Sequence, residues 1–269
     1  MTNEADKAGE AYWTQYWKTV SIPPLLEPHQ GHYAHLQTRI YHQFIRKHLP
    51  ESIRGGRVLE IGCANSVWLP YFYQEFDMNV YGLDYSETGC EMERQLLERY
   101  QIPGQIHHAD FHVPPRELEG QMDLVISMGV LEHFTDSVDV IRAFSRYLKP
   151  GGFLLTTVPN MPGITGVLQK AFYKPVYDIH VPLSLHHIDD AAKKAGLLSV
   201  AGEYGLTPSF YLVLQSTAGR ANFYRFKWLI NKVLIYITKG CWWIQTNSVI
   251  WSAHPFWSAS IFHMAKKPG

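Results

Sequence analysis

The sequence predicts an α/β protein of the doubly wound type, in which helices flank a mostly parallel seven-stranded sheet. From Arg57 onward, short apolar runs alternate with amphipathic segments, a pattern typical of parallel strands joined by helices. The first apolar run leads into Glu60-Ile61-Gly62, and a second run, about 20 residues later, ends in Asp84. At 269 residues, the chain is long enough for one large domain with additions rather than two equal domains.

Residues 1–50 are expected to form an N-terminal helical lid region. Four aromatic residues fall at near-helical spacing within residues 11–17, and Pro23-Pro24 ends that helix. A second helix is predicted over His32–His48, because its apolar positions share one face. These positions are Leu36, Ile40, Phe44 and Ile45.

Residues 51–205 are expected to form the core domain, in which strands and helices alternate along the chain. The predicted strands are Val58–Ile61, Asn79–Leu83, Gln105–His108, Asp123–Ser127, Phe153–Val158 and Leu197–Tyr204. The predicted helices between them are Ser66–Glu75, Glu87–Tyr100, Ser137–Leu148 and His187–Ala195.

Residues 206–255 are expected to form a helical, aromatic-rich insertion before the last strand. A structureless loop of that length would be unusual, and basic residues are interleaved with the aromatic ones. A packed helical subdomain, a cap over a pocket for an apolar or aromatic small molecule, a peripheral membrane contact and a dimer interface are all consistent with this composition. Residues 256–269 complete the core with a strand over Ser258–Ala265 and a polar tail.

The charge and cysteine content limit the classes of partner. The chain has 24 Lys+Arg and 24 Asp+Glu, so its formal net charge is zero, which disfavours nucleic acid. Three widely spaced cysteines and a polar N-terminus without a signal-like apolar run predict a cytoplasmic protein.

Polar residues at the predicted strand ends indicate a cofactor that contains a nucleoside. Ligands of open α/β sheets bind at the carboxyl ends of the strands. Asp84 is placed to bind ribose hydroxyls, and its alternative role is to cap the helix that follows. Asp110 is placed to accept from an exocyclic amine, with Phe111 and Tyr85 beside the base. Its alternative role is that of a turn acid.

The ordered set of motifs over residues 55–205 resembles that of class I S-adenosylmethionine-dependent methyltransferases. The acidic, glycine-containing loop after strand 1 corresponds to Glu60–Ser66, although Ala64 and Ser66 replace the second and third family glycines. Asp84 and Asp110-Phe111 match the acids after strands 2 and 3. Two further matches are Val130-Leu131-Glu132-His133-Phe134 after strand 4 and Lys149-Pro150-Gly151-Gly152 before strand 5.

The resemblance implies S-adenosylmethionine as the cofactor and S-adenosylhomocysteine as the product. It also implies that the N-terminal helix covers the cofactor, with ordinary hydrophobic docking of that helix as the alternative. The expected cofactor-binding residues are Trp13, Tyr16, Trp17, Glu60, Gly62, Cys63, Ala64, Asn65, Asp84, Tyr85, Asp110, Phe111, Ser127, Met128 and Gly129.

Two histidines are candidates for the catalytic base that a hydroxyl or carbon acceptor requires. His133 follows strand 4 and His180 follows strand 5, and for each the alternative is a packing or loop-ordering role. Glu132 could contact the acceptor or stabilise the loop after strand 4, and the second role is favoured. No metal site is expected, because no carboxylate pattern accompanies the histidines near strand 3.

These observations predict a methyltransferase that acts on a small-molecule acceptor with an apolar or aromatic part, as a monomer or homodimer. One alternative is a protein that binds adenosylmethionine or its demethylated product without catalysis. A nicotinamide-dependent oxidoreductase is disfavoured, because its loop would need more glycine than Gly62–Val67 supplies.

Overall fold

The structure, a computed structural model, describes residues 6–210, 212–214, 221–248 and 252–269. Its strands are β1 (Arg57–Ile61), β2 (Asn79–Asp84), β3 (Gly104–His108), β4 (Met122–Met128), β5 (Leu148–Pro159), β6 (Leu198–Pro208) and β7 (Ser258–Lys266). They form one sheet in the order β3-β2-β1-β4-β5-β7-β6. Only β7 pairs antiparallel with its neighbours in this described sheet, so the predicted fold class is confirmed.

Helices lie against both faces of the sheet and over its carboxyl edge. They are α1 (Glu10–Trp17), α2 (Leu36–His48), α3 (Trp68–Phe76), α4 (Glu87–Arg99), α5 (Ser137–Tyr147), α6 (Ile164–Phe172), α7 (Lys174–Asp178), α8 (Leu185–Lys194) and α9 (Ala221–Asn247).

The sheet is buried on both faces because alternate side chains of each strand point into opposite layers. In β1, Leu59 and Ile61 belong to an apolar cluster that includes α5 and α8. Val58, whose side chain points to the other face of the sheet, belongs to a second cluster that includes α2 and α3. The carboxyl ends of the parallel strands therefore meet at one edge, where the predicted site residues follow the strands.

Some predicted boundaries were wrong. β5 begins at Leu148 rather than Phe153, because Leu148 already pairs with Met122 before the register shifts. α8 begins at Leu185 rather than His187, because the Ser184 side chain caps it and accepts from the His187 amide. α2 begins at Leu36, after a short 3-10 turn.

The connections on either side of α8 also differ from the predicted pattern. α6 and α7 fill the segment between β5 and α8, where no helix was predicted. β6 continues to Pro208, which lies inside the predicted insertion, and α9 is the described helix of that insertion. Residues 211, 215–220 and 249–251 of the insertion lie outside the described residues.

Within the described residues, no helix is both long and apolar enough to cross a membrane.

Candidate active site

A cavity of about 450 Å³ opens at the carboxyl ends of β1, β2 and β4, beneath α1. Most of the predicted site residues line it. These are Trp13, Tyr16, Trp17, Glu60, Gly62, Ala64, Asn65, Asp84, Tyr85, Phe111, Met128, Gly129, His133 and His180. Cys63, Asp110 and Ser127 are not among the lining residues.

The loop after β1 is a tight turn that only glycine suits at its first position. Gly62 has φ 78°, and a Cβ there would collide with Val130. The Gly62 amide donates to the Leu83 carbonyl over 2.8 Å, which ties the loop to β2. Gly62 lines the cavity, and the space that a Cβ would take is filled by Val130.

Two buried carboxyl groups hold the end of this loop, where the family has its last glycine. The Ser66 hydroxyl donates to Glu60 Oε1 over 2.7 Å, and the Ser66 amide donates to Glu93 Oε2 over 2.8 Å. Burial raises the pKa of Glu60 to about 8 and that of Glu93 to about 9. Both carboxyl groups therefore favour the protonated form near neutral pH.

Asp84 is buried at the end of β2 and accepts two backbone hydrogen bonds. Its Oδ2 accepts from the Ala64 amide over 3.2 Å, and its Oδ1 accepts from the Ser86 amide over 2.7 Å. Burial raises the pKa of Asp84 to about 6 despite these two bonds. Each oxygen keeps a second lone pair, so the carboxylate links the β1 loop to α4 and can still accept from a ligand.

The segment before α1 is tied to the loops around the cavity. The Lys7 amide donates to the His133 carbonyl over 2.9 Å, and Lys7 Nζ donates to the His180 carbonyl over 2.8 Å. The Tyr85 hydroxyl donates to Asp6 Oδ2 over 3.2 Å. In α1 itself, the Trp13 ring stacks on Trp17 at 5.7 Å and meets the His133 ring edge-on at 5.1 Å. α1 therefore lines one side of the cavity, and its role as a lid over the cofactor stays a prediction.

His133 is a buried, neutral imidazole with one unprotonated nitrogen. Its Nδ1 lies 2.9 Å from the Ile179 carbonyl, and because a carbonyl only accepts, Nδ1 carries the proton. Burial, with a smaller effect of His180, lowers the pKa of His133 to about 3. His180 is held in the same way by the Val176 carbonyl, and burial lowers its pKa also. Both rings line the cavity, with centroids 4.7 Å apart.

The side chain of Glu132 faces the cavity, which was the less favoured of the two roles considered from the sequence. Its backbone carbonyl accepts from the Val181 amide, so the main chain of Glu132, rather than its side chain, stabilises the loop after β4. The side chain lines the cavity instead, with Oε1 3.9 Å from His133 Nε2. Oε2 is buried and has no hydrogen-bond partner among the described residues, and burial raises the Glu132 pKa to about 8.

Among the described residues, two groups of side chains have potential metal-ligand atoms within 4.8 Å of one another. One group is Glu132, His133 and His180 in the cavity, and the other is His29, His42 and Glu75 nearer the surface. The expectation of no metal site rested on the strand 3 histidines, and neither group includes them. The absence of a metal thus stays a prediction.

The three predicted residues that do not line the cavity are either buried in the core or hydrogen-bonded within a turn. Cys63 is fully buried, which raises its pKa and makes it chemically inert. Ser127 is buried within β4, and its hydroxyl has no partner among the described residues. Asp110 accepts from the His112 amide in a turn beside the cavity-lining Phe111.

Several apolar residues of the cavity wall were not predicted from the sequence. They come from α1, α7 and the segments after β4 and β6, and their apolar character gave no signal beyond that of the core. They are Tyr12, Val130, Phe134, Val176, Ile179 and Val213.

The similarities to known proteins agree with this geometry. A family described as "Methyltransferase domain" matches residues 33–201, which is more than half of the chain. The ubiquinone biosynthesis O-methyltransferase of Bordetella avium is 28% identical over 161 residues, covering 60% of this chain and 66% of that protein. The chain thus spans slightly less than two thirds of that relative's length.

Solved structures share the fold at low sequence identity. Geranyl diphosphate C-methyltransferase from Streptomyces coelicolor A3(2) has a TM-score of 0.57 at 11% identity, with 94% of this chain and 96% of that chain covered. Phosphoethanolamine N-methyltransferase 2 from Haemonchus contortus, in complex with S-adenosyl-L-methionine, has a TM-score of 0.56 at 18% identity, with 97% and 58% covered. The chain therefore belongs to the methyltransferase-domain family and has the fold of the class I S-adenosylmethionine-dependent enzymes.

Proposed function

We propose that this protein transfers a methyl group from S-adenosylmethionine to a hydroxyl oxygen of an uncharged small molecule with a largely apolar body. The observation that carries the proposal is the pair formed by Glu132 and His133. His133 Nε2 is unprotonated, belongs to a cavity-lining ring and lies 3.9 Å from a buried carboxyl oxygen of Glu132.

The residues at the carboxyl ends of β1 and β2 fit the cofactor. The backbone at Gly62, which lines the cavity, suits close approach by the methionine portion. Asp84, buried and with free lone pairs on both oxygens, suits the ribose hydroxyls. Phe111 and Tyr85 line the same cavity and offer rings beside the adenine. When bound, the cofactor supplies an electrophilic methyl group on a sulfonium sulfur.

The cavity wall favours an uncharged acceptor. Its described lining includes Glu60, Asp84 and Glu132 but no Lys or Arg, so nothing there would neutralise an anionic acceptor. Tyr12, Trp13 and the apolar side chains near His180 supply a wall for an aromatic or aliphatic body. The O-methyltransferase name of the Bordetella relative supports a hydroxyl as the accepting group.

In the proposed mechanism, His133 Nε2 removes the proton of the acceptor hydroxyl as the oxygen attacks the methyl group. The Ile179 carbonyl fixes the ring by accepting from Nδ1, which keeps the lone pair on Nε2. An ionised Glu132 stabilises the imidazolium that forms, because the two groups lie close together in a buried site. α1 excludes water from this site while the acceptor is bound.

The test is a methyl-transfer assay with S-adenosylmethionine and three matched acceptors, namely a phenol, an aniline and a thiophenol with the same apolar substituent. We expect the phenol to be methylated. His133→Ala should slow its turnover by about 10²–10⁴-fold without changing cofactor affinity. The matched control, His186→Ala, removes an exposed histidine of α8 and should leave turnover unchanged.

Three results would contradict the proposal. Cofactor binding without transfer to any acceptor would indicate a non-catalytic binding protein. Preferred methylation of the aniline or the thiophenol would remove the hydroxyl assignment. An unaffected rate in His133→Ala would remove the base.

A further inference from the structure

We propose that the outward face of α9 docks on an anionic lipid bilayer, with the helix lying parallel to the membrane surface. The face is defined by Leu229, Val233, Tyr236, Ile237 and Trp243. All five are exposed, and Tyr236 is 70% exposed. Leu229, Tyr236 and Trp243 are seven residues apart, which places them on one side of the helix.

Polar contacts on the opposite side fix the rotation of α9. Asn231 accepts from the Leu212 amide over 2.7 Å and donates to the Leu212 carbonyl over 3.0 Å. The buried Thr238 hydroxyl accepts from the Phe210 amide over 2.8 Å. These bonds hold the polar side of the helix against the domain, so its apolar side faces solvent.

The charge of α9 identifies the partner's chemistry. The helix sequence contains no Asp or Glu, and its Lys232 and Lys239 lie beside exposed aromatic rings, whereas Lys227 packs over the buried Tyr173 of the domain. Lys232 Nζ lies 3.7 Å from the centre of the Trp228 ring, and Lys239 Nζ lies 5.8 Å from that of Tyr236. This arrangement suits a bilayer surface, because the ammonium groups can bind lipid headgroups while the exposed aromatic rings contact the acyl chains.

A second copy of this chain fits the face less well. The outward residues have a spacing that would suit helix pairing, but two copies would bring lysines together without any acid on either α9. An anionic bilayer removes that repulsion and accepts the aromatic rings as well. No helix in the described part of the chain qualifies as a membrane span, so docking in the surface plane is the arrangement we infer.

The docking face is connected to the candidate active site. Asn231 binds the backbone of Leu212, and the next residue, Val213, is half-exposed and lines the cavity. The helix that would rest on the bilayer thus also anchors the rim of the cavity.

The test is co-sedimentation of the full chain with phosphatidylcholine vesicles that contain or lack about one third phosphatidylglycerol. We expect binding to the anionic vesicles only. Lys232→Glu/Lys239→Glu should lower the partition coefficient at least tenfold, since each basic residue near the surface contributes to binding. Tyr236→Ser/Trp243→Ser should lower it by a similar factor through lost apolar contact.

The matched charge control is Arg116→Glu/Arg142→Glu, which changes two exposed basic residues elsewhere by the same amount. It should keep wild-type partitioning, and unfolding temperatures should verify that all variants are folded. Equal binding to neutral vesicles, an equal loss in the control, or no vesicle binding at all would overturn the proposal. The wild type could instead form a dimer and fail to bind vesicles. If Tyr236→Ser/Trp243→Ser then converted that dimer to a monomer, the face would be assigned to a second copy of the chain. Methyl-transfer activity on a water-soluble acceptor is a separate readout, so these outcomes do not depend on the proposed reaction.

Discussion

At the scale of single residues, Glu132 and His133 show how burial sets the protonation of two adjacent groups. Burial raises the pKa of Glu132 to about 8 and lowers that of His133 to about 3. Both groups are therefore predominantly neutral at pH 7, although a glutamate with its usual pKa would be ionised at this pH.

The first prediction concerns the pH dependence of methyl transfer. A carboxyl group is protonated below its pKa, so ionised Glu132 increases as the pH rises through about 8. If the ionised form stabilises His133 during transfer, kcat/KM should rise over that range. Glu132→Gln should lower kcat/KM and flatten the rise, measured from pH 6 to 9. A profile identical to that of the wild type would show that another group titrates.

The second prediction concerns Asp84. Asp84→Ala leaves the Ala64 and Ser86 amides without an acceptor and removes the proposed ribose contact. We expect cofactor affinity to fall about 5–150-fold, which corresponds to roughly 1–3 kcal/mol. Titration calorimetry with S-adenosylmethionine measures this change.

Asp123→Ala is the matched control for Asp84→Ala. Asp123 accepts from the Arg57 amide and pairs with Lys149 at the opposite, amino end of the strands. It should lower stability but preserve cofactor affinity. Equal losses of affinity in both variants would mean that Asp84 acts only by supporting the fold.

At the scale of elements, α1 lies over the cavity without burying any residue completely. The Thr14 hydroxyl lies 2.9 Å from that of Ser86 on α4. Aromatic contacts of Trp13 with Trp17 and His133 add to this packing. An element with so little buried surface is suited to opening and closing.

The third prediction concerns this lid. Trp13→Ala removes the stacking on Trp17 and the contact with His133, so bound cofactor should dissociate about tenfold faster. The unfolding temperature should change little, because Trp13 is only partly buried. Stopped-flow displacement of S-adenosylhomocysteine measures the rate, with Tyr73→Ala on α3 as an exposed aromatic control. An unchanged dissociation rate would indicate that α1 packs on the domain without acting as a lid over the cofactor.

At the scale of the whole molecule, buried acids couple the folding of the cofactor loop to pH. Glu60 and Glu93 lie on different elements and both bind Ser66. Burial raises both pKa values far above 4.5, the nearby Asp84 adds to the rise at Glu60, and Glu60 and Asp84 add to the rise at Glu93. The folded state therefore binds protons more tightly than the unfolded state between about pH 4.5 and 9.

The fourth prediction follows from the sign of that difference. A raised carboxyl pKa gives stability that is fully present below pH 4.5 and is lost as the pH rises toward about 9. Glu93→Gln keeps an oxygen for the Ser66 amide but does not ionise. It should flatten the decline and add about 1–3 kcal/mol to the free energy of unfolding at pH 8 relative to wild type. Urea denaturation at pH 5 and pH 8 tests this, with the exposed Glu119→Gln as control.

The sequence by itself determined the sheet, its parallel core and most of the residues around the cavity. Strand periodicity and strand-end motifs are local signals, and the carboxyl ends of parallel strands meet at one edge in any doubly wound fold. Gly62, Asp84 and His133 could therefore be found from the chain alone.

Only the tertiary structure decided which side chains meet across that edge. The role of Glu93 depends on α4 packing beside the β1 loop, and it carries no motif. The direction of the Glu132 side chain depends on the segment after β5. The Val181 amide of that segment donates to the Glu132 backbone carbonyl and not to the side chain, which is left to face the cavity. The outward face of α9 depends on the bonds from Asn231 and Thr238 that set its rotation. Such pairings join residues distant in sequence, so local patterns cannot encode them.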